Sequence, residues 1–239
     1  MKLIRLVLLV AVIAALLLLI AGPGTRLELW HFRTGFELMR WAVYLGVGAS
    51  VLALLFLLIP KTRRGNGLAL SLALLIALGT LAMPLTMYQR AQSVPRIHDI
   101  TTDTVNPPEF VAVAPLRADA PNPVEYQGEE IARQQREAYP DIVSFETDAH
   151  NAIVFDHALA LVEQFGWELV AADADTGRIE ATDTTFWFGF KDDVVIRIRS
   201  TDIGSVVDVR SKSRVGLSDV GANAARIRRF LDALDERIH

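Results

Sequence analysis

The residues best suited to chemistry lie near both ends of the polar part of the chain. Close to the C-terminus, SRVGLSDVGANAARIRRFL (213–231) sets Arg214, Asp219, Asn223 and Arg226 around Gly216 and Gly221. A helix starting at Asp219 would aim free backbone N–H groups at an anion, and an arginine arriving on a strand would add a charge-assisted donor. Asp219 brings its own carboxylate to that point. The simplest expectation is therefore an internal Arg214–Asp219 pair, with Asn223 or Arg226 adding hydrogen bonds. Upstream, RIHDITTDTVNPPEF (96–110) supplies His98, Asp99 and Asp103. These types can serve as acid/base or metal-ligating groups, yet Thr, Asp and Asn at this density also close local turns. The polar character of both stretches leads us to expect that they meet in space.

Other constellations fail on spacing. There is no zincin helix, Walker loop or G-x-S-x-G elbow. GLSDVG has the wrong spacing for an elbow, and Ser218 reads as a cap at a helix start. His150 and His157 lie seven apart on one predicted helix, two turns from a shared metal. DADTG begins like a calcium loop, but the twelfth position from Asp173 is Thr184, so it reads as a hairpin turn. The absence of cysteine removes disulfides and thiolate chemistry. No metal or other cofactor is expected. One further cluster, FWFGF at 186–190, exceeds what a turn needs. Part of it is expected in the core, and Trp187, Phe188 and Phe190 are candidates for contact with a bilayer or partner.

The elements that must position these residues follow from apolarity and charge. Mean hydropathy is +0.30, high for a soluble domain. Residues 1–88 carry eight Lys/Arg and two Asp/Glu, whereas 89–239 carry sixteen and twenty-six. The first third contains apolar runs at 6–21, 41–59 and 67–88, each near the ~20 residues that cross a bilayer. The first has no small-residue cleavage site after it and reads as an uncleaved span. Lys2 and Arg5 at the start, with Lys61, Arg63 and Arg64 in the second connection, place both on the cytoplasmic side. The C-terminal part then lies outside. The runs carry no Asp, Glu, Lys, Arg or His and read as an anchor rather than a transport path. Gly46, Gly48 and Ser50 form a small-residue face for close helix packing.

Three regions result: a membrane anchor at 1–88, a Pro-rich extended segment at 89–127 and a folded domain at 128–239. The extended segment is expected to lie on the domain. Within the domain, helices are predicted over 129–138, over 149–165 with Asp148 as N-cap, and over 219–237. Strands are predicted at 142–146, 167–172, 178–185, 194–200 and 205–211, joined by short turns that favour antiparallel pairing. This is an α+β class: three transmembrane helices, then an antiparallel β-meander with helices on one face. Alternation points Val194, Ile196, Ile198, Val207 and Val209 inward. It points Arg178, Glu180, Thr182, Arg197, Arg199, Asp208, Arg210 and Lys212 to the other face. That face is expected to be open, polar and locally basic, with Arg197, Arg199, Arg210 and Lys212 available for docking.

The residues GWELVAAD, GRIEATDTTFWFGFKDDVVIRIR and DVRSKSRVGLSDVGANAARIRRFL, with HDITTDTVNPPEF upstream, resemble the bacterial and plastid family known as domain of unknown function 1499. The resemblance spans about residues 95–236 and matches the membrane-anchored bacterial form. It implies pattern positions at 98–104, 106–110 and 211–226 and transfers no catalytic residues. The helix–meander–helix order is also similar to helix-grip domains of outer-membrane assembly lipoproteins, a likeness of fold alone. The resulting expectation is a multi-pass protein of the bacterial inner (plasma) membrane. Its N-terminus is cytoplasmic, and its periplasmic domain is a non-enzymatic binding or assembly module of the cell envelope. Membrane lipid or an envelope protein is the expected partner, not nucleic acid. The alternative is an enzyme acting on envelope lipid or glycan through a polar cleft at Asp99, Asp103, Arg214 and Asp219.

Overall fold

A computed structural model of the protein describes residues 2–239. It divides into two compact units: the chain through Gln89 together with Phe186–Gly189, and Arg90–Thr185 together with Phe190–His239. The Pro-rich segment is thus part of the second unit.

The first unit contains α1 (Lys2–Arg26), α2 (Phe32–Leu58), the single turn α3 (Pro60–Arg63) and α4 (Gly67–Ser93). The three long helices, of 25, 27 and 27 residues, are each long and apolar enough to cross a membrane. At 1.5 Å per residue they reach about 40 Å, more than the ~30 Å hydrocarbon core. They overrun the apolar runs: α1 continues through Pro23, and α2 starts well before Trp41 with His31 as N-cap, its ring accepting from the Arg33 N–H at 3.3 Å. Their shared seam is made of small side chains, Val7 and Ala11 on α1, Ala49 and Ala53 on α2, and Ala73 and Ala77 on α4. Small residues let helix backbones approach where lipid leaves dispersion as the main attraction. Gly46 and Ser50 join this buried face, and a Cβ on Gly46 would come within 3.2 Å of Leu81. A Cβ on Gly48 would meet nothing within 4 Å, so Gly48 is not part of the close packing. The Thr80 and Thr86 hydroxyls donate to carbonyls of their own helix. In this unit the Phe188 ring lies 5.0 Å from that of Phe36.

The second unit begins with β1 (Asp99–Thr101) and a 3₁₀ turn at Ala114–Arg117. It continues with α5 (Glu129–Ala138), β2 (Phe145–Thr147), α6 (Asn151–Gln164), β3 (Glu168–Asp173), β4 (Arg178–Thr184), β5 (Lys191–Thr201), β6 (Gly204–Ser213) and α7 (Ala222–Ile238). One antiparallel sheet runs β1-β6-β5-β4-β3, with β2 also pairing β6. β1 and β2 occupy opposite ends of the same β6 edge, Ile100 opposite Ser211 and Glu146 opposite Val206.

Helices α6 and α7 cover one face. Val154, Ala158, Leu161 and Val162 of α6 and Ile227, Phe230 and Leu234 of α7 close on Ile179, Val194, Ile196, Ile198, Val207 and Val209. The period-2 and period-3.6 stripes dictate this packing, since each element has one apolar side to remove from water. Two caps differ from expectation. The α6 N-cap is His150, whose ring accepts from the Ala152 N–H at 3.3 Å, in place of Asp148. α7 starts three residues later than predicted, because Val220 and Gly221 adopt positive φ (54° and 79°) and hold the turn open. A β-branched residue in that region is strained, and the Asp219 and Ser218 side chains that accept from the Gly221 and Val220 N–H groups hold it there.

The other face is the main departure. It is polar, as alternation requires, but it is not open: the lead-in segment lies over it. Lys212 is 0% exposed and Arg210 2%, while Asp99, Asp193 and Asp208 are fully buried. A small apolar cluster of Phe110, Val113 and Val195 seals the cover.

Candidate functional site

Register explains how a sheet face rich in charge can be buried. One row across four strands reads Thr182, Asp193, Lys212, Asp99. The next reads Glu180, Val195, Arg210, Thr101, and a third Arg178, Arg197, Asp208. Opposite charges become cross-strand or diagonal neighbours. What remains unpaired must find partners in whatever covers the face, because a buried charge without one is very costly.

Those partners come from the lead-in segment. Asp99 takes a two-point contact from Arg210 (Nε to Oδ1 and Nη2 to Oδ2, both 2.9 Å) and a third bond from Lys212 Nζ at 2.8 Å. Lys212 also donates to the Glu125 carbonyl at 2.5 Å. Asp193 accepts from Arg117 (3.1 Å), from Arg214 (2.9 and 2.8 Å) and from the Thr182 hydroxyl (2.7 Å). Asp208 takes Arg197 (2.8 Å), Arg199 (2.7 Å) and Ser144 (2.6 Å). Among the described residues the Glu180 carboxylate has no cation this close. It accepts the backbone N–H groups of Val111, Ala112 and Val113 at 2.8–3.1 Å, at the start of the 3₁₀ turn.

The final motif and the lead-in segment do meet. Asp219 N–H donates to the Ile97 carbonyl (3.2 Å), Ser213 N–H to the His98 carbonyl (2.9 Å), and the Asn223 amide to the His98 carbonyl (3.0 Å). The partners within the motif are not those expected. Arg214 pairs with Asp193, not Asp219. Asp219 caps α7 through the N–H groups of Gly221 (2.8 Å) and Asn223 (2.9 Å). Arg226 bridges Asp183 and Asp192 (2.8 and 2.7 Å) and donates to the Ser211 hydroxyl and the Asn223 amide oxygen.

Protonation follows burial and neighbours. Burial, with Lys212 next, pushes His98 below its ordinary value. Burial also lowers the Lys212 ammonium against the pull of Asp99, and lowers Arg117 against Asp193. Burial raises the Asp219 carboxyl despite its two backbone donors. For Asp208 burial acts upward but is outweighed by hydrogen bonds from Ser144 and Arg197, so its carboxyl is held low.

The structure therefore forms two clusters on opposite faces of the sheet: Asp99, Arg210 and Lys212 under the lead-in segment, and Asn223 and Arg226 with Ser211 under α7, where Asn223 also reaches the main-chain carbonyl of His98; Asp103 forms a separate pair with Arg197 at 3.0 Å. It does not form a cleft walled by Asp99, Asp103, Arg214 and Asp219, because each group faces a different internal partner. Of the four basic residues expected on an open face, Arg210 and Lys212 are buried and Arg197 is mostly covered. Only the Arg199 side chain, 49% exposed, reaches solvent to a large extent. In the aromatic stretch Phe188 is buried, Trp187 and Phe190 are half-buried, and the exposed ring is that of Phe186, at 84%. Among the described residues no group of three or more His, Cys, Asp or Glu side chains is placed to hold a metal.

Sequence reasoning passed over Arg117, Asp193 and Tyr126. Asp193 was detectable, since it shares the alternation phase of Arg197. Arg117 and Tyr126 sit in the Pro-rich segment, where no period marks a buried side.

These features define a class: a chain with three membrane-length helices and an α+β domain whose polar sheet face is closed by its own lead-in segment. Residues 99–234 match the family described as "Protein of unknown function (DUF1499)", and the chain belongs to that family. It matches no curated protein.

Proposed function

We propose that the chain is a multi-pass protein of a bacterial inner membrane that displays its α+β domain on the periplasmic side as a non-enzymatic binding or assembly module of the envelope. The display rests on the Lys/Arg distribution. Lys2 and Arg5 precede the first apolar run, and Lys61, Arg63 and Arg64 crowd the connection between α2 and α4. Cytoplasmic loops carry such an excess, which leaves the chain beyond α4 outside.

The single observation that carries the module reading is the fate of the polar face. Asp99, Asp193 and Asp208 each hold two cations, and Glu180 holds three N–H groups. The carboxylates of Asp99, Asp193 and Glu180 are engaged in fixing the lead-in segment to the sheet, and that of Asp208 in joining β6 to β5. Such a construction favours a rigid domain that presents a surface. A photo-crosslinking residue placed in the full chain at Val105, Ile203 or Leu217, which are 91%, 86% and 69% exposed, tests it in cells. Adducts with one defined envelope protein or lipid at some of these positions are expected. Only diffuse background at all three, with the chain folded and in the membrane, contradicts the reading.

A further inference from the structure

The short segment Phe186–Gly189, between β4 and β5 in the chain, belongs to the unit of the three long helices. Glycines on two of those helices make room for it. A Cβ on Gly22 of α1 would fall 2.0 Å from the Trp187 indole, and one on Gly35 of α2 would fall 2.9 Å from the Phe188 ring. Both aromatic side chains thus rest where the helix has no side chain of its own. The end of α1 fixes the main chain of the segment. The Arg26 guanidinium donates to the Phe186 carbonyl at 2.6 Å and stands 5.8 Å from the centre of the Phe186 ring.

The charge pattern of the helices sets the depth at which this packing occurs. Between Arg5 and Arg26, α1 carries no charged residue, and that stretch is about 31 Å of helix. It matches the ~30 Å hydrocarbon core of a bilayer. Arg26 therefore stands at one boundary of the core, where a long basic side chain reaches the headgroups. α2 places the boundary at the same level. Its Gly35 lies against Ala21 and Thr25 of α1, and the exposed Glu37–Arg40 pair (3.1 Å) follows, just before the apolar run that begins at Trp41. The segment held by Arg26, Gly22 and Gly35 is thus level with the interface. Within it the Phe186 ring is 84% exposed. An apolar ring at that depth leaves water by entering lipid.

We propose that Phe186 is a lipid-contact residue: segment 186–189 lies in the interfacial layer at the Arg26 end of α1, with the Phe186 ring among the glycerol and upper acyl groups of that leaflet. The occupant is the bilayer itself, because the helices that seat the segment cross it and the charge-free length of α1 ends where the ring is held. Trp187 and Phe188, expected from sequence to touch a bilayer or partner, are used instead for packing on α1 and α2. Phe186 is the ring of this segment left to the surroundings. The inference rests on the reading of the long helices as membrane spans. It concerns depth and not side, so it holds for either orientation of the chain.

The chain has no cysteine, so a single introduced cysteine can carry a nitrobenzoxadiazole fluorophore. The test uses the full chain in phosphatidylcholine nanodiscs, which leave both membrane faces open to added iodide. Phe186→Cys is compared with Ile203→Cys, at an 86% exposed turn position, and with Ile13→Cys, 40% exposed within the charge-free stretch of α1. Further quenchers are lipids with a nitroxide near the top or near the end of the acyl chain. The fluorophore at residue 186 should emit to the blue of that at 203 and resist iodide. It should lose more intensity to the shallow nitroxide than to the deep one, and residue 13 should show the reverse order. The proposal is overturned if iodide quenches residue 186 as it does residue 203, or if the deep nitroxide is the stronger quencher there. It is also overturned if neither nitroxide reaches residue 186, which would mean that protein and not lipid covers it. Any of these results with residue 13 still quenched by lipid refutes the Phe186 contact alone. Loss of lipid quenching at residue 13 as well refutes the membrane spans on which it rests.

Discussion

The side-chain amide of Asn223 donates to the main-chain carbonyl of His98 at 3.0 Å, joining the first turn of α7 to the residue before β1. Both groups are buried, and the two residues are 125 positions apart in the chain. Asn223 also donates to the Ser213 hydroxyl and accepts from Ser211 and Arg226. One side chain thus ties the lead-in segment, β6 and α7 together.

Asn223→Ala removes one of the two donors to the His98 carbonyl, which keeps the Ser213 N–H, and leaves the Ser211 O–H without its acceptor. A buried donor left unpaired costs about 1–3 kcal/mol, so a loss of that order is expected. Asn223→Asp keeps the acceptor but cannot donate to His98, and should also destabilise. Denaturant titration of the full chain in detergent, with hydrogen exchange read at β1, checks both. A loss confined to α7 would show that the tie to His98 carries little.

Glu180 anchors the other end of the cover. Its carboxylate accepts from Val111, Ala112 and Val113, and hydrogen bonds to a charged group are worth about 1.5–3 kcal/mol. Glu180→Gln turns an N–H₂ toward these donors. It should free residues 110–117 to exchange and to proteases well before the sheet unfolds. Protection there equal to the parent protein's would contradict the assigned role.

His98 sets a dependence on pH. Burial and Lys212 hold its pKa below the ordinary 6.5, and the groups facing it are Lys212, Arg117 and Asp99. The unfolded chain therefore binds the proton more readily than the fold, so stability rises with pH through this group. The contribution is full above 6.5 and is lost as pH falls from 6.5 through the depressed value. His98→Gln should flatten the melting temperature across that window, measured side by side with the parent. Parallel curves for the two proteins would show that His98 is not the titrating group.

Much of the α+β unit was legible. Strands β4 to β6 declare themselves by alternation between Gly- and Asp-containing turns, β3 by its apolar run after Gly166 despite a register shift at Leu169–Ala171, and α5 by its stop before Pro140. The membrane helices follow from apolar length, although their ends do not, because Pro23 and the polar start of α2 are carried inside helices. What stayed hidden depends on distant pairing. β1 is three residues in a Pro-rich stretch, too short to show a period. Arg210 and Lys212 have the alternation of a solvated face, and only the carboxylate of Asp99, more than a hundred positions earlier, makes them internal. The expected Arg214–Asp219 pair failed for a local reason. The turn through Gly216 carries Asp219 away to the helix start, while Asp193 lies directly opposite Lys212 and within reach of Arg214.

The central claim is that the α+β domain is displayed outside the inner membrane, and it can be measured directly because the chain has no cysteine. Ile203→Cys lies in the β5–β6 turn at an 86% exposed position, and Arg64→Cys at an exposed position in the turn after α3. A membrane-impermeant maleimide applied to intact spheroplasts should label residue 203 at once and residue 64 only after the membrane is opened. Labelling of residue 64 in intact spheroplasts, with residue 203 protected until lysis, would contradict the account.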